Sequence, residues 1–364
     1  MGKVLKIGAF ITSHGFGHGT RICAVLKEIA KFRSCEFDIF STLPNWFFSH
    51  NMPGLEIELH QVETDVGLVQ KSPFIHNLIE TLKKLEQFTQ FNNGDFLKTL
   101  NIVRNKDFDL LISDISPLGL EIGKKTGIPS TLIENFTWDW IYQEYADCLS
   151  GFNRINAILE KSYSYADLHI QASPFCLKKN KTLKTPPISR STQKNHSETK
   201  EFLGIERDTK IILLTTGGIT KELKLIERLK EEKDIFFIRT TESQSISTDQ
   251  NIISIPLRSD IHYPDLVNAS NLVVGKVGYG TLAECWSTDT PLLGCFRNDF
   301  RESKALINFA SRNLRHKKIS VEDFERMNWV QNAREIMIDC CTLKSPPSST
   351  GTSIAAKAIL HFVT

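Results

Sequence analysis

The sequence predicts an α/β protein of two domains, each a mostly parallel sheet covered by helices. At 364 residues the chain is longer than one hydrophobic core usually serves. Short apolar runs of strand length alternate with amphipathic helical stretches, the signature of parallel strands joined by helical crossovers. That rhythm breaks once, in a polar stretch, and then restarts.

In chain order, residues 4–11 read as a first strand that empties into a glycine-rich turn, followed by a helical pattern over 22–29. Strands follow over 37–41, 55–59, 109–114 and 130–135. Between 178 and 200 lysine, serine, threonine and asparagine replace apolar residues, as in an exposed connection. A solvated linker explains this charge run better than a nucleic-acid or membrane patch, because no aromatic residues are interleaved with it. Beyond it come a strand and glycine turn over 210–218, a helix over 222–229, strands over 235–239, 251–255 and 272–275, and a last helix over 354–362. The expected domains are therefore 1–180 and 201–345, with a linker at 181–200 and a tail with a closing helix at 346–364.

Composition excludes several classes. A net charge of +2 is too small to argue for a nucleic-acid partner. No signal peptide or membrane-spanning run is visible, so a cytoplasmic location is expected, with peripheral membrane contact left open. The eight cysteines form no C-x-x-C pair or Cys/His cluster, which argues against a zinc site or a disulfide framework.

Two glycine-rich turns carry the chemistry. The first, Ser13-His14-Gly15-Phe16-Gly17-His18-Gly19-Thr20-Arg21, joins a strand to a helix N-terminus, where unpaired N–H groups and the helix dipole favour negative charge. It has neither dinucleotide-fold glycine spacing nor a Walker lysine. Its histidines are either chemical groups or caps of an ordinary tight turn. His14, Gly17, Asp114 and Asn135 all fall at the carboxyl ends of expected strands, where parallel sheets gather ligands.

The second turn, Gly275-Lys276-Val277-Gly278-Tyr279-Gly280-Thr281, leads into a helix bearing Glu284. Such a turn suits a diphosphate, Thr281 is placed to cap the helix, and a carboxylate on it can accept both hydroxyl hydrogens of a ribose. Alternatively, Glu284 is the partner of Thr281 in a capping box. Asp139, set between Trp138 and Trp140, is either a sugar-binding carboxylate beside aromatic rings or a helix cap in a packed core. Asp107-Phe108-Asp109 resembles a metal-binding D-x-D but precedes a buried strand, so no metal is assigned.

These motifs resemble those of GT-B glycosyltransferases, including the peptidoglycan N-acetylglucosaminyl transferase family. Residues 14–21, the segment Asn135-Phe136-Thr137-Trp138-Asp139-Trp140-Ile141-Tyr142 and residues 275–281 resemble more closely the glycosyltransferase-like N-terminal half of L-arabinokinases. Gly19 and Trp140 replace an alanine and a phenylalanine there, and no sugar-kinase phosphate loop is present.

The resemblance implies two Rossmann-like domains with a ligand cleft between them and a metal-independent hexosyltransferase without a resident cofactor. Its donor is a nucleotide sugar, a UDP-sugar by preference, and its acceptor is unidentified. His18 matches the loop histidine and is expected as general base or orienting donor. His14, Gly17, Asp114, Asn135 and Asp139 are expected on the acceptor side. The donor side comprises Gly217, Gly218, Lys276, Gly278, Tyr279, Gly280 and Thr281 around the diphosphate, Glu284 at the ribose, and Asp299 and Glu302 at the sugar. The latter two acids read equally as surface caps of the following helix. A nucleotide-sugar 2-epimerase of the same fold, and a binding module without turnover, are the alternative readings.

Overall fold

The computed structural model describes residues 3–72, 75–217, 223, 225–338 and 350–364. The chain divides into two compact units, one of 1–188 with 349–364 and the other of 189–348.

In the first unit, β1 (Leu5–Ile11), β2 (Cys35–Phe40), β3 (Ile57–His60), β6 (Leu110–Asp114), β7 (Ser130–Glu134), β8 (Leu168–Ala172) and β9 (Leu183–Thr185) form a seven-stranded sheet, with β4 (Gln70–Ser72) and β5 (Ile75–His76) as a separate ribbon. The spatial order is β3-β2-β1-β6-β7-β8-β9, and every pairing is parallel. The strands are apolar on both faces because helices cover both. Phe10, Phe40, Phe96, Phe108, Leu111 and Leu118 form one such layer. The Gly351–Phe362 helix packs on the Phe16–Ala30 helix and on β8 and β9, which is why this late segment belongs to the first unit.

The second unit repeats the plan with β10 (Lys210–Thr215), β11 (Ile235–Thr241), β12 (Ser247–Asp249), β13 (Ile252–Pro256), β14 (Leu272–Lys276), β15 (Leu292–Cys295) and β16 (His316–Lys318). The order is β12-β13-β11-β10-β14-β15-β16, parallel except for the β12–β13 edge. Along β10 the strand period of two divides the side chains between two cores. Ile212 and Leu214 enter one, Ile211 and Leu213 the other.

The segment expected as a linker at 181–200 is structured. Its first part is β9, and its last part enters the His196–Phe202 helix, which packs on the Tyr263–Ala269 helix of the second unit. The asparagine at 195 explains this local order: its side chain and Glu198 close a capping box around the helix start. The helix expected over 222–229 lies partly outside the described residues, and the described part is a 3-10 helix over Ile226–Glu231.

In each sheet the chain order reverses once beside the first strand, between β1 and β6 and between β10 and β14. Parallel sheets bind ligands outside the carboxyl ends of strands at such reversals. Each unit therefore offers its own candidate half-site there.

Candidate functional site

The helix after β1 starts earlier than its apolar pattern suggests, at Phe16, with Gly15 at the N-cap position and φ 107°. Glycine adopts that conformation without the strain a side chain would bring. Gly17 and His18 consequently lie in the first helical turn rather than in a loop. The capping alternative for the histidines fails, because each ring faces a carboxylate instead.

His18 Nδ1 lies 2.9 Å from Asp114 Oδ1, at the carboxyl end of β6. Arg21, one turn further along the helix, donates from Nε to Asp114 Oδ2 at 2.8 Å and from Nη2 to Oδ1 at 2.7 Å. Its Nη1 donates to Asn135 Oδ1 at 2.6 Å. Burial pushes the Asp114 carboxyl up, but the Arg21 guanidinium and the His18 hydrogen bond outweigh it and hold the group below the usual carboxylate range. Two groups meet that nitrogen, Asp114 Oδ1, which accepts, and Arg21 Nη2 at 3.1 Å; in the tautomer that turns its Nδ1 hydrogen to Asp114, Nε2 offers a lone pair. This is the arrangement of a histidine able to take a proton from a hydroxyl.

The His18 ring packs edge-on to Phe136, Phe136 to Trp138, and Trp138 to His14, with centroids 5.6, 5.5 and 5.3 Å apart. Asp65, in the segment after β3, accepts from Trp138 Nε1 at 2.7 Å through Oδ2 and turns Oδ1 toward His14 Nε2 at 3.4 Å. Sequence reading had no signal for Asp65, which lies in an irregular segment. For Arg21 the signal existed: three residues beyond His18 on a helix is the same face.

The aromatic platform expected around Asp139 is interior at Trp138 and Tyr142, while Trp140 is half-buried. Trp138 and Tyr142 are buried, the indole N–H goes to Asp65, and the Tyr142 hydroxyl donates to the Gly67 carbonyl at 2.7 Å. Asp139 itself follows the N-terminal residue of the short Trp138–Gln143 helix. Burial pushes its carboxyl up, and its Oδ1 has no hydrogen-bond partner among the described residues. Asp109 of the D-x-D segment is tied to the Lys3 ammonium and to the Lys6 N–H, away from the carboxyl strand ends.

In the second unit, β10 runs into Gly217, with φ 81°, and Gly218 lies outside the described residues. A Cβ at Gly217 would stand 3.0 Å from Lys276 Cδ, so the glycine lets the lysine stem lie along the turn. Burial and the neighbouring Arg297 lower the affinity of Lys276 for its proton, while Asp299 opposes them. Arg297 lies over the Phe300 ring, its Nε is 3.5 Å from Asp299 Oδ1, and its buried Nη2 has no partner among the described residues. Two cations thus stand at the carboxyl ends of β14 and β15, a feature the sequence reading assigned only to Lys276.

The helix after this turn spans Tyr279–Thr288 with Gly278 at the N-cap position. Thr281 is therefore inside the first turn and does not cap it. The capping box with Glu284 does not form either. Glu284 is buried and bound by Arg190, whose Nε and Nη2 converge on Oε1 at 2.8 and 2.6 Å. Burial still pushes its carboxyl up, against Arg190. Tyr279 is buried, and Gly280 follows it in the first turn. Asp299 is partly exposed, whereas Glu302 is buried at the N-cap position of the Ser303–Asn313 helix without capping it through its side chain.

No family model matches the chain. Over 311 residues it is 25% identical to the L-arabinokinase of Arabidopsis thaliana, a match that covers 84% of this chain and 30% of that protein. The chain thus spans under a third of the length of this curated relative. Among solved structures, the calicheamicin glycosyltransferase CalG4 is similar over 100% of this chain and 99% of its own, at 12% identity and a TM-score of 0.67. A UDP-glucosyltransferase from Polygonum tinctorium, described as glucosylating indoxyl, is similar over 99% of both chains at 11% identity and a TM-score of 0.62. No helix among the described residues is long and apolar enough to cross a membrane. With two parallel-dominated sheets of like topology and these likenesses, the chain has the GT-B fold of the glycosyltransferases and a sequence similarity to L-arabinokinase.

Proposed function

We propose that this protein is a glycosyltransferase that moves a sugar from a nucleotide-sugar donor, a UDP-sugar by preference, to a hydroxyl acceptor. The carrying observation is the His18–Asp114 pair at the chain reversal of the first sheet, and the reading takes Nε2 of the ring as the proton acceptor. In the reaction, the acceptor hydroxyl gives its proton to His18 Nε2 as its oxygen bonds the anomeric carbon. The bond from that carbon to the diphosphate oxygen breaks, and the diphosphate leaves with the bonding pair. Asp114 offsets the charge arising on the imidazole.

The second unit supplies what the leaving group needs. Lys276, Arg297 and the first N–H groups of the Tyr279–Thr288 helix present positive charge to a diphosphate, and Gly278 and Gly280 let it approach the backbone. Glu284 remains the candidate for the ribose hydroxyls, which would replace one of its Arg190 bonds. Asp299 and Glu302 are the candidates for the donor sugar. The kinase activity in the relative's name is not proposed for this chain.

The test is incubation with a panel of nucleotide sugars, with and without a mixed set of hydroxyl acceptors, following nucleoside diphosphate release and the sugar products. Acceptor-dependent release supports transfer. An epimerised nucleotide sugar formed without acceptor overturns it in favour of the 2-epimerase reading. Binding without turnover, unchanged in His18→Ala, overturns it in favour of a binding module.

A further inference from the structure

The glycine-rich segment of the first unit carries two histidines, and the transfer reaction uses one. His14 is nevertheless the more elaborately housed. Asp65 is almost wholly buried, with its side chain 2% exposed, and its Oδ1 has no hydrogen-bond partner among the described residues. That orphan oxygen faces His14 Nε2 at 3.4 Å, slightly beyond hydrogen-bonding distance. Its other oxygen is fixed by the Trp138 indole. Gly67, with φ 61°, also packs on the ring: a Cβ there would overlap the imidazole of His14. The Tyr142 hydroxyl in turn holds the Gly67 carbonyl. Two segments, 65–67 and 138–142, thus shape a socket for one ring, yet the side chain in it is 32% exposed.

A ring packed this way for stability alone would be expected to satisfy the carboxylate beneath it, because a buried acceptor without a partner bears the full cost of leaving water. Asp114, under His18, meets that expectation: both its oxygens are engaged. Asp65 does not. The His14–Asp65 pair is the incomplete one, and a small approach of the imidazole completes it.

Building on the transferase reading, we propose that His14 is a second acceptor-binding imidazole that reads a hydroxyl other than the one His18 deprotonates, and that the acceptor is a polyhydroxylated, sugar-like molecule. With Asp65 Oδ1 as acceptor of the Nε2 hydrogen, Nδ1 is left with its lone pair as an acceptor for a hydroxyl hydrogen. As that hydroxyl binds, the ring becomes a better donor and draws onto Asp65 Oδ1, satisfying the orphan oxygen. Both imidazoles pack against the continuous Phe136–Trp138 ridge, which fixes them relative to each other. Two ring nitrogens held in one register suit two hydroxyls of one molecule, and a monohydric alcohol engages one of them only.

Imidazole nitrogen NMR on the full chain tests this, with His14→Gln and His18→Gln assigning the signals. Free pentoses and hexoses serve as probes, and 1-butanol is the monohydric control. The expected result is a His14 ring hydrogen on Nε2, a monosaccharide-induced shift at His14 Nδ1 that 1-butanol does not reproduce, and about tenfold weaker monosaccharide binding in Asp65→Asn. If Asp65→Asn fails to fold, the same loss in His14→Gln is read instead. A His14 hydrogen on Nδ1, a response confined to His18, or no His14 response to any monosaccharide overturns the proposal. None of these results touches nucleotide-sugar turnover, so this inference and the transferase reading fail separately.

Discussion

Arg21 and Asp114 form a doubly bonded ion pair with both side chains 0% exposed, and that pair is the foundation under His18. Removing one member leaves the other charged and dry, which costs about 3–5 kcal/mol. Arg21→Met and Asp114→Asn are each expected to lose stability on that scale in urea denaturation. The double variant Arg21→Met/Asp114→Leu should lose less than the sum, since no stranded charge remains.

Two buried carboxylates should respond to pH in opposite directions. Asp114 is held below its ordinary 3.8, so it stabilises the fold above that value and the benefit disappears as pH falls through its lower folded value. Glu284 is pushed above its ordinary 4.5, so the folded state binds that proton more tightly and stability rises as pH falls from the raised value toward 4.5. Urea midpoints measured at several pH values for wild type, Asp114→Asn and Glu284→Gln should show the wild-type advantage over Asp114→Asn shrinking on acidification. The wild-type standing against Glu284→Gln should improve over the same acidification.

For the cation pair, the expected loss is specific to phosphate. A hydrogen bond to a charged group is worth about 1.5–3 kcal/mol, so Lys276→Ala or Arg297→Ala should weaken UDP binding tenfold or more by that estimate. Uridine binding, which lacks the diphosphate, should be unchanged. Titration calorimetry with both ligands decides this, and equal losses for the two would count against a diphosphate role.

His18→Gln should separate chemistry from binding. General-base catalysis contributes about 10²–10⁴-fold, so turnover should fall within that range while donor affinity stays near wild type. A variant that keeps its rate would move the proton-accepting role elsewhere.

Gly275 has φ 136°, and a Cβ there would overlap the Thr215 carbonyl oxygen of the neighbouring strand β10. Gly275→Ala should therefore cost about 3 kcal/mol through strain and overpacking. A Cβ at Gly278 would meet no atom within 4 Å, so Gly278→Ala should cost about 1 kcal/mol or less. Thermal melts of the two variants give the comparison.

Much of the architecture was legible because it is written in local periodicity. Runs such as Ile211 to Leu214 are apolar on every residue, which is what a strand covered on both faces requires. The edges were less legible: β9 and β16 are three residues long and carry lysines. At the site, Asp114 and Asn135 were identifiable as residues at strand ends and His18 by its glycine-rich turn. Arg21 was within reach of the same reasoning, one turn beyond His18, whereas Arg190 and Asp65 acquire roles only through contacts made across the fold. Thr281 shows the converse. Its spacing from Glu284 matches a capping box, but the helix begins at Tyr279 and Arg190 holds the glutamate.

The Gly351–Phe362 helix has a consequence for biosynthesis. It seats Ala355, Ala356 and Ile359 out of water and brings Gly351 so close to the Pro186 carbonyl that a methyl group would not fit. On the ribosome, the layer that carries His18 must wait through the translation of the whole second unit before its last piece arrives. A fragment ending at 188 should accordingly emerge as a sticky, chaperone-bound product, and a peptide of 350–364 supplied in trans should release it.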